Sequence, residues 1–79
     1  MKAKVIITLK TGVLDPQGKA IEGALEGLGF SGVDNVRLGK FIELDVDASS
    51  EAEARQTVEE MCDKLLANTV IENYRVEIA

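Results

Sequence analysis

Asn35 to Ala48 reads NVRLGKFIELDVDA, and the way this stretch folds decides how many strands the sheet has. Val36 and Leu38 share one parity, and Ile42, Leu44 and Val46 share that of the following run. A strand turns successive side chains to opposite faces. A three-residue loop at Gly39, Lys40 and Phe41 therefore sets Leu38 opposite Ile42 and Val36 opposite Leu44, with all five apolar residues facing one core. A two-residue Gly-Lys turn is the commoner hairpin connection, but it puts Val36 and Leu44 on opposite faces. Because the hydrophobic pattern sets register, the stretch predicts a hairpin with the longer loop or a bulge.

Outward from the hairpin, each flank carries a helix and then a strand. On the N-terminal side, KAKVIITLK (Lys2–Lys10) alternates, with Ala3, Val5, Ile7 and Leu9 on one face and Lys4, Ile6 and Thr8 on the other. Asp15-Pro16 then supplies an N-cap followed by proline at the first helical position, where its missing N–H costs nothing. Ala20, Ile21, Ala24, Leu25 and Leu28 recur at helical spacing. Gly29 suits the left-handed residue that closes a helix, with Phe30 packing back on Leu25. The first helix is predicted from Pro16 to Leu28.

On the C-terminal side, SSEAEARQTVEEMCDKLLAN (Ser49–Asn68) is the second helix. Ser50 with Glu53 forms a capping box, and acids in the first turn complement the helix dipole. Ala54, Val58, Met61, Cys62, Leu65 and Leu66 form its apolar stripe, and Asn68 is the expected left-handed terminator. VIENYRVEIA (Val70–Ala79) alternates again, with Tyr74, Val76 and Ile78 on one side. The order strand, helix, strand, strand, helix, strand predicts an α+β ferredoxin-like βαββαβ sandwich, with two helices on one face of a four-stranded antiparallel sheet. A single domain spanning 1–79 is expected from so short a chain.

Composition narrows the function. Hydrophobic residues make up 46% and aromatics only 4%, so the core is aliphatic and part of the apolar surface is available to other subunits. The net charge of −5 opposes a general nucleic-acid binder, which needs a basic face. No run of apolar residues is long enough to span a membrane, and a cytoplasmic location is expected. One cysteine and no histidine exclude a disulfide framework and the usual zinc sets.

The segment GVLDPQGKA (Gly12–Ala20) has the glycines and lysine of a phosphate loop but not its spacing. Five residues separate Gly12 from Gly18, and Ala20 stands where Ser or Thr is needed. Pro16 also removes an amide from the helix start. A weaker anion contact involving Lys19 stays open.

Gly18, Gly23 and Gly27 lie in one helix, each costing about 1 kcal/mol relative to alanine. Either packing on the sheet rescues a marginal helix, or Gly23 and Gly27 admit another backbone at close range. Cys62 sits in an apolar stripe with no histidine to activate it, and so reads as a small core residue. Glu59, Glu60 and Asp63 read as solvated surface. A sheet that binds RNA needs stacking aromatics, and Phe41 alone does not supply them. The bare sheet face carries Ile6, Phe41 and Ile71 among charged neighbours. This is either ordinary scattered exposure or a homo-oligomer interface centred on Ile6 and Ile71.

Three blocks, LKTGVLDPQGKAIEGAL (Leu9–Leu25), VRLGKFIELDV (Val36–Val46) and EEMCDKLLANTVIENYRVE (Glu59–Glu77), together resemble the PurS family, the small subunits of phosphoribosylformylglycinamidine (FGAM) synthase. The blocks cover most of the chain in the family's order and spacing. Phe41 departs from the tyrosine expected in many relatives.

The resemblance implies a non-catalytic, assembly-promoting subunit of a ligase in purine biosynthesis. That complex converts formylglycinamide ribonucleotide (FGAR) to FGAM with ATP, Mg and glutamine. Its partners are a synthetase subunit, a glutaminase subunit and further copies of itself; this chain binds no cofactor or metal and carries no catalytic residue. Expected partner contacts are Gly12, Asp15, Gln17, Gly18, Lys19, Gly23, Gly27, Gly39, Lys40 and Phe41. The competing class is a ligand-sensing ACT-like module of the same strand order.

Overall fold

The computed structural model describes all residues from 1 to 79. The chain runs β1 (Lys2–Leu9), α1 (Pro16–Gly27), β2 (Gly39–Asp45), α2 (Glu51–Met61), a π-helical turn (Cys62–Leu66) and β3 (Glu72–Ile78). The sheet has three antiparallel strands in the order β2-β1-β3, not the four expected.

The missing strand is the first arm of the expected hairpin. Gly39 to Asp45 forms one continuous strand paired with β1, so the residues assigned to the loop lie inside it. The register sets Ile42 opposite Val5 and Leu44 opposite Ala3, on the core face as expected, while Phe41 opposes Ile6 on the other face. Val36 and Leu38 join no strand. Two contacts hold this segment out of the sheet. The Asp15 carboxylate takes the Leu38 N–H at 2.8 Å. The Arg37 guanidinium donates to the carbonyls of Leu9, Lys10 and Val13 at 3.2–3.3 Å. Gly39 then lies so close to β1 that a Cβ there would collide with the Ile7 carbonyl oxygen.

β1 supplies the heart of the core, with Ala3, Val5 and Ile7 fully buried. Ala54, Val58 and Cys62 of the second helical unit cover them, and Val76 closes the β3 side. Tyr74 and Ile78 pack at the margin on the expected face. Ser50 caps α2 by accepting the Glu53 N–H at 3.1 Å. Glu53 reaches back to Ser49, one residue earlier than a standard capping box, and bonds both its N–H and its hydroxyl.

From Cys62 the helix widens into a π-turn, closed by the Ala67 N–H on the Cys62 carbonyl. The wider turn leaves Leu65 83% exposed and Met61 on the rim, so the expected apolar stripe breaks there. Asn68 is not left-handed, as Asn35 is the only non-glycine residue with positive φ. Asn68 instead organises the approach to β3, its carbonyl accepting from Ile71 and Glu72 and its side chain from Val70.

α1 starts at the Asp15 cap with Pro16 behind it and ends at Gly29, whose φ is +94°. The Phe30 N–H on the Leu25 carbonyl completes the Schellman closure. This helix does not cover the sheet. α2 packs on β1 and β3, whereas α1 makes no comparable contact with any strand or helix. The molecule is correspondingly long, 50 Å by 25 Å by 15 Å.

Candidate functional site

The first expected surface is the loop and helix start from Gly12 to Lys19, and the structure divides it. Asp15 is 5% exposed. One carboxylate oxygen accepts the Gly18 N–H and the other the Leu38 N–H, both at 2.8 Å. Those two amides, Leu38 first, hold its carboxyl below the ordinary carboxylate range, with the Arg37 charge assisting. Asp15 is thus a structural clamp and not an exposed contact. Gly18 is also internal, because a Cβ there would collide with the Val36 carbonyl oxygen. Gly12 serves a turn at φ +89°. Gln17 and Lys19 are exposed, and Lys19 Nζ reaches Glu22 at 3.3 Å.

The second expected surface is the glycine-bearing side of α1. Gly23 and Gly27 are exposed, and a Cβ at either would meet nothing within 4 Å. Packing on the sheet therefore does not explain them. The opposite face of α1 carries Ile21, Leu25 and Leu28, which have no covering element in this chain, and Leu28 is 75% exposed.

The expected hairpin tip is instead the first part of β2. Gly39 is required by its approach to Ile7. Lys40 bridges to Glu72 of β3 at 3.5 Å, spanning the central strand. Phe41 is 57% exposed on the bare face. The register groups Phe41, Ile6 and Arg75 in one row across that face and Glu43, Lys4 and Glu77 in the next. Ile71 lies in the turn before β3, so Ile6 and Ile71 do not share one strand row.

Two features escaped the sequence reading. Arg37, which carries no chemical motif, fastens three carbonyls of the β1–α1 connection. Beside α2, an open groove of about 420 Å³ is lined by Ile42, Leu44, Met61, Leu65 and Leu66, with Thr57, Glu60 and Lys64 at its rim. Met61 and Leu65 did stand out by helical spacing, but that spacing assigned them to the core.

The groups with reactive potential are committed to structure. Burial, then the charges of Asp63 and Glu59, push the Cys62 thiol up, away from the thiolate a nucleophile needs. The Tyr74 hydroxyl donates to Asp63 at 2.9 Å and its pKa is pushed up to about 12. No three His, Cys, Asp or Glu side chains gather in a way that could hold a metal ion. No helix is long and apolar enough to cross a membrane. What the surfaces offer is shape and apolar area for association.

Comparison with known proteins agrees with that character. The sequence profile of the PurS family, described as phosphoribosylformylglycinamidine (FGAM) synthase, matches residues 2–79. The FGAM synthase subunit PurS of Synechocystis is 53% identical over 75 residues, covering 95% of this chain and 75% of that protein.

Among solved structures, Methanocaldococcus jannaschii PurS superposes with a TM-score of 0.87 at 47% identity, covering 96% of this chain and 92% of the other. It is described as one of the subunits of formylglycinamide ribonucleotide amidotransferase in the purine biosynthetic pathway. A chain of the Thermotoga maritima PurLQS structure gives a TM-score of 0.88 at 36% identity, covering 96% and 93%. The chain described here belongs to the PurS family of FGAM synthase subunits.

Proposed function

We propose that this protein is the non-catalytic, assembly-promoting subunit of FGAM synthase, a ligase of purine biosynthesis. It joins a synthetase subunit to a glutaminase subunit, so that nitrogen released from glutamine reaches FGAR and yields FGAM at the expense of ATP. The observation that carries this reading is the match, over 96% of the chain, to a member of the PurLQS assembly. ATP, Mg and glutamine are handled by the larger subunits, and the complex works in the cytoplasm. Gln17, Lys19, Gly23, Gly27, Lys40 and Phe41, which stand at the surface, are the partner contacts in this reading. The protein acts as a homo-oligomer within the complex. The second helix over the sheet, which a full ferredoxin-like sandwich has, is supplied by assembly.

Reconstitution with synthetase and glutaminase subunits tests the proposal. Glutamine-dependent FGAM formation is expected to require this chain, whereas ammonia supplied directly should bypass it. Equal glutamine-dependent rates with and without the chain would refute the joining role.

A further inference from the structure

We infer that the outer edge of β2 takes an extended segment of a different polypeptide as a fourth strand, one whose residues alternate between apolar and basic. This rests on the joining role proposed above and names the kind of partner segment that β2 receives.

The edge is open in its backbone. Antiparallel strands alternate between residue pairs that exchange both backbone bonds and pairs whose groups point away from each other. Met1 and Val46 exchange both, each at 2.8 Å. Along the register, Ala3 with Leu44, Val5 with Ile42 and Ile7 with Lys40 therefore do the same. Phe41, Glu43 and Asp45 consequently turn their N–H and C=O groups away from β1. All three are exposed, and no turn or loop bond reaches those groups.

The opposite margin is partly closed by the chain itself. The Ala79 N–H donates to the Lys2 carbonyl at 3.0 Å, so by the same alternation Glu72, Tyr74, Val76 and Ile78 face outward on β3. There the Arg55 guanidinium donates to the Val76 carbonyl at 2.7 Å, and the Glu72 N–H donates to the Asn68 carbonyl at 2.7 Å. Beside β2 the reverse has happened. Val36 and Leu38, which have the parity to pair with it, are drawn off by Asp15 and Arg37.

The side chains along the edge define the occupant. An added strand turns one set of side chains to the core face, beside the half-covered Ile42 and Leu44. Apolar residues are buried there, because they wall the open side of the groove that also holds Met61 and Leu65. The other set falls on the bare face beside Phe41, Glu43 and Asp45. Lys or Arg answers both acids, and a guanidinium also stacks on Phe41. About five residues, roughly 17 Å of extended chain, span this edge. A helix would leave the outward backbone groups unpaired. The β2 of a second copy would set Glu43 and Asp45 against acids of their own kind, which destabilises a cross-strand pair.

Residue-resolved hydrogen–deuterium exchange tests the inference, on the chain alone and with synthetase and glutaminase subunits in excess. The amides of Phe41, Glu43 and Asp45 are expected to exchange fast in the chain alone. At partner concentrations about a hundred times the Kd they should slow about a hundred-fold, while those of Tyr74 and Val76 stay unchanged. Slow exchange in the chain alone would mean that a second copy or the chain itself covers the edge, and would overturn the inference. A complex that forms FGAM from glutamine with these amides still fast would overturn it and leave the joining role standing. Absence of any complex would sink both.

Two substitutions at one exposed position separate charge from backbone. Glu43→Gln keeps the N–H and should weaken partner binding about three-fold. Glu43→Pro also removes the outward N–H while sparing the ladder to β1, and should weaken binding about ten-fold further. Circular dichroism checks that both stay folded. A proline variant that binds like the glutamine variant would refute strand addition.

Discussion

Asp15 and Leu38 lie 23 residues apart in sequence, yet the Asp15 carboxylate accepts the Leu38 N–H at 2.8 Å while its other oxygen caps α1. One side chain thus ends the β1–α1 loop, starts the helix and turns the arm into β2. Removing it should unsettle all three. Asp15→Ala is expected to lower the melting temperature by several degrees, in line with the loss of an N-cap and of a second buried amide partner. A melt unchanged within error would show that the clamp is dispensable.

The same clamp sets an acid limit. The folded-state pKa of Asp15 lies below its ordinary 3.8, so the charged form is the one the fold favours. That stabilisation is present above the unfolded value and is lost as pH falls through the folded one. Glu53, held down by Ser49, behaves alike. Melting temperature should therefore be flat near neutrality and fall below about pH 4. Asp15→Asn should start lower at neutral pH and show a shallower acid decline, as read by melts across pH 2–7.

The three α1 glycines should separate sharply. Gly18→Ala drives a methyl into the Val36 carbonyl and is expected to cost about 1–3 kcal/mol, the range for forced overpacking. Gly23→Ala and Gly27→Ala meet open space and should each stabilise the isolated chain by up to about 1 kcal/mol. Urea unfolding of the three variants decides it. Gly23→Leu should leave the isolated fold intact and weaken complex assembly, measured as a lower glutamine-dependent rate at limiting subunit concentration.

Tyr74 is the only tyrosine, which makes its ionisation directly readable. Its bond to Asp63 holds the phenol protonated until about pH 12. Absorbance near 295 nm should thus stay flat to about pH 11 in the native protein and rise near pH 10 in urea. The pKa is raised in the folded state, so this contribution is present below the unfolded value and lost as pH climbs through the folded one. Asp63→Asn should bring the native titration down toward the urea curve.

Cys62 should resist thiol reagents. It is fully buried, with its thiol pushed up, so labelling at pH 8 should be slow in buffer and complete in denaturant. Fast native labelling would show that the π-turn opens readily.

Much of this was legible in the residues because it is local. Asp15-Pro16, Gly29 and Ser50 mark helix ends by their own backbone chemistry, and alternation assigned the core faces of β1, β2 and β3. The fourth strand failed because Val36 and Leu38 have the right parity but the Leu38 amide is already engaged. Leu38 gives its N–H to a side chain 23 residues away, which no local pattern encodes. The π-turn failed for a related reason, since the widened turn at Cys62–Leu66 rotates Leu65 off the stripe that its spacing implied. The partner surfaces were only partly legible. Asp15 and Gly18 are distinctive because the fold needs them, whereas the groove is made of ordinary aliphatic residues brought together in space.

A sheet of three strands in the order β2-β1-β3 has two free margins, and each offers a row of unpaired amides to any passing strand. Lys40, Glu43 and Asp45 stud one margin, and Glu72, Arg75 and Glu77 the other. Charges so placed discourage indiscriminate strand addition. They act as gatekeepers on a small chain whose sheet is open at both sides.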